Sequence, residues 1–185
     1  MELWFGGSPV VDHEIRVRFA STVESAAQGR LRGWEATPRG ALALLIVLDQ
    51  FPRHLYRGDR RAYALDRLAL ATCRTVSESG LDQELELFEQ PFCYLPLQHS
   101  ESLDDQRDCV ARFEALLGRT PAKHWYRVHA ESAVTVARAH LAIIERYGRY
   151  PHRNAVLGRR NTLAEQMYLD AGGSTFGQQV DSHAP

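Results

Sequence analysis

Apolar positions along this chain recur three and four residues apart, the spacing of one face of an α-helix, and nowhere alternate convincingly as a half-buried strand requires. Ser8-Pro9 reads as an N-cap followed by proline in the first helical turn, and Ile15, Phe19 and Val23 then share a face. Thr37-Pro38 repeats that start signal ahead of Leu42, Leu45, Ile46 and, on the same face, Asp49. Asp59 is placed to cap a third helix that carries Leu65, Leu68, Ala69 and Val76 inward until Gly80 stops it. A shorter helix is expected over Asp82 to Phe88. Gln90 to Leu97 contains Pro91 and Pro96 and reads as an ordered, non-helical crossing. Ser102 to Asp105 fits a capping box for a helix through Val110, Phe113 and Leu117 to Gly118. Pro121 opens the longest helix, with Trp125, Val128, Val136, His140, Ile143, Ile144 and Tyr147 as its inner face and Gly148 as its end. Thr162 and Glu165 form a capping box for a last short helix.

These elements predict an all-α chain, folded as one domain over residues 1–170, with a flexible tail over residues 171–185 where the composition turns small and polar. Short connections suit antiparallel neighbours, either in a bundle or in a solenoid of helical hairpins. No repeat of hairpin length is visible, so the residues alone leave both open.

Composition narrows the function classes. With 44% apolar residues the chain can bury an ordinary core. A net charge of −1 and a pI of about 6.7 provide no global field toward nucleic acid or membrane, and an RNA-binding role is disfavoured. The basic residues are nearly all arginine, with Lys123 the single lysine; a GC-rich genome explains that, and so does a need for planar, bidentate donors. Cys73, Cys93 and Cys109 match no zinc spacing, and their odd count argues against a disulfide framework. The longest apolar run, Ala41 to Leu48, is too short to span a bilayer, and the N-terminus has no signal-peptide pattern, so a cytoplasmic protein is expected.

Three polar segments stand out, each at an expected helix end. Between Glu145 and Glu165 there is no acidic residue, while Arg146, Arg149, His152, Arg153, Arg159 and Arg160 crowd a stretch broken by Gly148 and Pro151. Such a run of charge-assisted donors suits an anion, with Arg149, Arg153 and Arg159 as cations and His152 and Asn154 as directional partners. Asp49, Arg53 and Arg57 follow the second helix; a carboxylate on an apolar face needs a cation, which Arg53 or Arg153 can supply. His99, Ser100 and Glu101, with Gln106 a turn later, form the third. A hydrolase nucleophile at Ser100 lacks the strand–turn–helix elbow, whereas His99 and Glu101 suit the lining of a site. His140 falls on the inner face of the longest helix. A metal site from His99, Glu101, His140 and His152 has no compact ligand spacing and is not expected. Nothing resembles a phosphate-binding glycine loop or a dinucleotide fingerprint, and the residues leave any cofactor unknown.

Together these segments, with Trp4 to Gly7, Asp12, Ile15, Asp66, Leu95-Pro96 and Leu157 to Arg159 with Thr162 and Glu165, resemble a family of mostly bacterial proteins catalogued as domain of unknown function 924. The resemblance runs from Trp4 to about Leu169. It implies a tetratricopeptide-like, right-handed α–α superhelix of antiparallel hairpins and no particular activity. His54 stands where the family pattern usually has asparagine, Tyr150 where it usually has phenylalanine, and a further apolar, aromatic N-terminal segment usually precedes the one matched here.

The expected function is capture of a small phosphate or carboxylate ligand in a pocket. Asp49, Arg53, Arg57, Gln106, His140, Arg149, Arg153, Asn154 and Arg159 would bind it. His99 or His152, with Glu101, would supply acid–base chemistry if the ligand turns over. The alternative is a protein- or peptide-interaction module that uses the groove of the superhelix. A third reading makes the same charges a buried structural network.

Overall fold

The structure is a computed structural model that describes residues 8–177; Trp4 to Gly7, residues 178–185 of the expected tail, and any first-layer packing by the N-terminus lie outside them. Among the described residues every regular element is helical. The α-helices are α1 (Pro9–Ala27), α2 (Pro38–Leu45), α3 (Phe51–Leu55), α4 (Asp66–Glu78), α5 (Gln90–His99), α6 (Leu103–Arg119), α7 (Arg127–Tyr147), α8 (Asn154–Leu157) and α9 (Leu163–Asp170). A π-turn, Ile46–Gln50, joins α2 to α3 without a break, and 3-10 turns at Arg32–Ala36, Arg60–Tyr63, Leu81–Glu84 and Pro151–Arg153 make connections.

Two apolar clusters build the fold. Leu45 of α2, Cys73 and Val76 of α4, Tyr94 and Leu97 of α5, Phe113 of α6 and Val134 of α7 form one. Ile15 and Val23 of α1 pack on Leu44, Leu48, Phe51 and Leu55 to form the other. Each buried leucine contributes about 1.5–3 kcal/mol relative to exposure. The three cysteines lie in the first cluster as free thiols, and burial pushes Cys73 up to about 12, so it behaves as a small hydrophobe.

Several sequence expectations change here. Gln90 to Leu97 is helical: Pro91 sits in the first turn, where its missing N–H costs nothing, and Pro96 is accepted inside a ten-residue helix whose end is held by side chains. Asp59 caps the 3-10 turn through the Arg61 N–H, and the helix proper begins at Asp66. The segment after Gly80 forms one 3-10 turn, Leu81–Glu84, and no longer helix. The longest helix starts at Arg127, six residues after Pro121, and Trp125, Val128 and Val136 are exposed. The caps at Thr37 and Thr162 form as the sequence predicts, the latter as a full capping box. Ser102 caps α6 through the Asp105 N–H, but its own N–H goes to Ser100 Oγ, so the expected box does not close, and the Ser8 side chain makes no cap bond.

The C-terminal end of α5 is the pivot of the architecture. A helix leaves its last carbonyls without intrahelical donors, and here they are buried rather than solvated. Gln106 of α6 places its Nε2 at 2.7 Å from both Gln98 O and Ser100 O. The Tyr150 hydroxyl donates to Gln98 O at 2.6 Å and accepts from Gln106 at 2.9 Å. Arg153 donates to His99 O at 3.0 Å. Gly148, with φ at +68°, turns the chain out of α7 and so delivers Tyr150 and Arg153 to this point.

Gln106→Leu should leave the Ser100 carbonyl without its donor and Gln98 O with the Tyr150 hydroxyl alone, and lower unfolding free energy by roughly 1–3 kcal/mol. Urea denaturation measures it; a loss below about 0.5 kcal/mol would mean that other donors reach these carbonyls.

Candidate functional site

Proline at position 52 has no N–H to donate back to Leu48, and its ring crowds the preceding turn. The chain responds with the π-turn, in which the Phe51 N–H reaches back to Ile46 O. That extra residue in the turn aims Asp49 and Gln50 into the interior, where both are buried. Arg53 follows one turn later and is also buried.

The π-turn, α3, the 3-10 turn at Arg60–Tyr63, α4, α5 and the 3-10 turn at Pro151–Arg153 converge at this point. Arg53 donates from Nη1 and Nη2 to the two carboxylate oxygens of Asp66, at 3.0 and 3.2 Å, and from Nη1 to Asp49 O at 2.7 Å. Its Nη1 is also 3.5 Å from Asp49 Oδ1. His99 Nδ1 is 2.7 Å from the same Oδ1, and Gln50 Nε2 donates to Oδ2. Arg153 lies between the rings of Tyr150 and Tyr63, its guanidinium carbon 4.4 and 4.8 Å from their centroids. Its nearest carboxylate is Asp66, at 3.6 Å.

The two arginines are not equivalent. Burial works against the Arg53 charge, but Asp49 and Asp66 more than offset it and raise its pKa. Arg153 moves the other way: burial, and then the neighbouring Arg53 charge, lower its pKa below the usual arginine value. Asp66 is already held bidentately by Arg53, so Arg153 lacks a carboxylate of its own. Its Nε is buried with no hydrogen-bond partner.

Burial alone would raise the Asp49 carboxyl, but Arg53, His99 and the bonds from His99 and Gln50 hold it at about 2. It therefore carries a charge at neutral pH. His99 is neutral there, lowered by burial and by Arg53. With Asp49 accepting from Nδ1, the free lone pair of the neutral ring sits on Nε2, which has no hydrogen-bond partner among the described residues. A carboxylate–imidazole pair of this kind fixes both tautomer and ring direction.

The other expected site residues divide into groups. Glu101 accepts from Arg159 Nη1 at 2.6 Å and Nη2 at 2.9 Å, and from the Tyr150 N–H at 2.9 Å. Both of its oxygens thus clamp the loop onto the end of α5. Asn154 is fully buried; its amide donates to Asn161, and its Oδ1 is unpartnered. Arg149 pairs with Glu165 of α9 at 2.6 and 2.8 Å, so its guanidinium is directed there rather than at Asp66. Arg57 pairs with Asp12 of α1, as does His54, in a second cluster. His140 bonds Val136 O through Nδ1, and His152 Nδ1 is buried without a partner. No group of three or more His, Cys, Asp or Glu side chains among the described residues is arranged to hold a metal ion. No helix among them is long and apolar enough to cross a membrane.

Sequence reasoning did not assign Asp66, Tyr63, Gln50 or Phe176 to the site. Asp66 had a visible signal as an acid in the first turn of a helix, but that position reads equally well as a dipole partner. Tyr63 and Phe176 had none. The Tyr150 hydroxyl, present where the family pattern leads one to expect phenylalanine, is a working donor at the end of α5.

Burial drives both His140 and His152 down to about 3, and Arg153 adds to the shift at His152. In the unfolded chain each takes up a proton below about 6.5, whereas the folded protein does not until near 3. Their stabilisation is complete above about pH 6.5 and is lost as pH falls. Unfolding free energy should drop by roughly 1–2 kcal/mol per histidine from pH 7 to pH 5, before most carboxylates titrate. Urea midpoints at the two pH values test this, and His140→Phe or His152→Phe should each flatten the slope. A wild-type midpoint that does not move would contradict it.

Comparison with known proteins places this geometry in context. The family model described as "Bacterial protein of unknown function (DUF924)" matches residues 1–173. A search of curated proteins finds no match. A solved structure of a protein of unknown function from Agrobacterium tumefaciens is similar at 34% sequence identity and a TM-score of 0.77, over 91% of this chain and 89% of that one. The family model runs through every polar segment described above, that relative covers nearly all of the sequence, and the chain therefore belongs to the DUF924 family of bacterial proteins.

Proposed function

We propose that the protein binds a small anionic ligand, a phosphate or a carboxylate, at Arg153. The observation that carries this reading is the state of that side chain: a nearly buried guanidinium with an unpartnered Nε and no carboxylate of its own. A buried cation left short of negative charge is costly, and an anion relieves the cost. The two tyrosine rings that flank it favour a planar, bidentate contact. His99 Nε2, directed by Asp49, stands ready to accept a proton from such a ligand, so acid–base turnover is chemically available. Glu101, Arg159 and Gln106 hold the loop and the helix end that present Arg153 and His99. Arg149 and Arg57 act at a distance by pinning α9 and α1. The scaffold in this reading is a tetratricopeptide-like superhelix of antiparallel hairpins in the cytoplasm, consistent with the short helix connections and the net charge of −1.

Thermal melting against inorganic phosphate, acetate, dicarboxylates and nucleotides tests the proposal. A ligand at a hundred times its Kd adds about 2.7 kcal/mol to the native state. The response should appear in the wild type and vanish in Arg153→Met. If no anion raises the melting temperature, or if Arg153→Met responds as the wild type does, the proposal is wrong.

A second reading, a protein-interaction module, is favoured by a different surface. Trp125 is 64% exposed beside the half-exposed ring of Phe88, with centroids 5.5 Å apart, and Val128 is exposed nearby. His124 and His129 border the same indole. The readings separate experimentally: Trp125→Glu should leave the anion response unchanged, and loss of that response would tie the two surfaces together.

A further inference from the structure

The end of the described chain folds back over the polar site. Past α9, Gly173 closes a turn onto Tyr168, and the Tyr168 hydroxyl donates to Ser174 O at 3.3 Å. The Phe176 ring then stacks on His140, with centroids 3.5 Å apart and planes 20° from parallel. His152 and Tyr150 meet it nearly edge-on, at 6.1 and 6.3 Å. Arg57 Nη1 fastens the next residue by donating to Gly177 O at 2.8 Å.

Phe176 is the single non-glycine residue among those described with a positive φ, at +50°. A bulky aromatic side chain is a poor occupant of that region, and the strain persists only where surrounding contacts impose it. Outside the aromatic contacts, few hydrogen bonds hold residues 174–177. The ring, not the backbone, anchors the segment. The His152 ring that meets it nearly edge-on carries at Nδ1 a buried polar atom with no partner. Tyr150 is common to both features, with Phe176 on its edge and Arg153 over its face.

We propose that the slot over the His140 ring is a subsite for a planar aromatic group of the ligand, and that Phe176 is an intramolecular occupant that this group displaces. The inference rests on the anion site proposed at Arg153 and specifies its ligand class: an aromatic acid or aryl phosphate. The slot has the geometry aromatic rings prefer, one stacked partner and two edge-on partners. It is lined by two neutral imidazoles, so the ring is not opposed by charge. A strained segment with few hydrogen bonds is the least stable part of such a site and the first to leave.

The test uses the full chain with Phe176→Gly, which removes the ring and suits the positive φ. Gly173→Ala serves as a second variant that keeps the ring: a Cβ there would meet the Tyr168 ring at 2.4 Å and push the segment outward. Calorimetric titration compares benzoate and phenyl phosphate with acetate and inorganic phosphate. Both variants should bind the aromatic ligands about tenfold more tightly than the wild type, because the self-occupied state no longer competes, with little change for acetate. Equal affinity for benzoate and acetate in Phe176→Gly, or no gain over wild type in either variant, overturns the proposal. Arg153→Met keeps the two readings apart. If inorganic phosphate binding needs Arg153 but no aromatic gain follows, the anion site stands and the aromatic subsite falls. If the aromatic gain survives in Phe176→Gly with Arg153→Met, the slot stands and the anion site falls.

Discussion

The structure depends on how the C-terminal end of α5 is satisfied. Buried helix carbonyls cannot be left to water, and a missing donor to a buried acceptor costs about 1–3 kcal/mol. The donors come from Gln106 on the next helix, Tyr150 beyond α7 and the Arg153 guanidinium. One requirement therefore ties α5, α6 and the loop after α7 to a single point. It also brings Arg153 beside Asp66 and Arg53, since the same guanidinium that caps His99 O faces that pair. The negative end of the helix dipole favours a cation in this position.

Charge is matched locally and in pairs. Glu101 with Arg159, Glu165 with Arg149, and Asp12 with Arg57 are each bidentate, and each fastens one segment to another. At the centre the matching is uneven: Arg53 takes both Asp66 oxygens and shares Asp49 with His99. Arg153 has carbonyl and aromatic partners but only a distant, shared carboxylate. A purely structural network would neutralise every ion, and the proposed anion would answer this imbalance at Arg153. Most of the arginines act as staples between segments, and composition does not distinguish that use from the ligand contact proposed for Arg153.

Much of the site was visible as residues without their geometry. The periodicity puts Asp49 on an apolar face, and it is buried; of the two cations offered for it, Arg53 reaches Asp49, whereas Arg153 meets Asp66. The expected site residues belong to different places in the fold. Arg57 and Arg149 carry the same side chain as Arg153 and occupy similar helix-end contexts, yet Asp12 and Glu165 draw them elsewhere. Sequence spacing cannot rank arginines by which carboxylate they meet, because the partners lie 16 to 45 residues away. The helix over Gln90–His99 was missed for a related reason. Two prolines weaken its local signal, and its stability comes from donors supplied by α6 and the loop after α7.

What the sequence determined by itself is the helical pattern, most of its caps and stops, the polar segments at helix ends and the family. These are properties of neighbouring residues: periodicity three and four apart, a hydroxyl or carboxylate before a first turn, a glycine free to take a positive φ. What only the tertiary structure decided is which polar groups meet. The division of Asp66 between two arginines and the Phe176 ring laid on His140 join residues far apart in the chain. Those surroundings then set the charge states: Arg53 and the bonds from His99 and Gln50 hold Asp49 ionised against its burial, while burial keeps His99, His140 and His152 neutral, since a carboxyl or imidazole takes its pKa from the groups around it and from its distance to water.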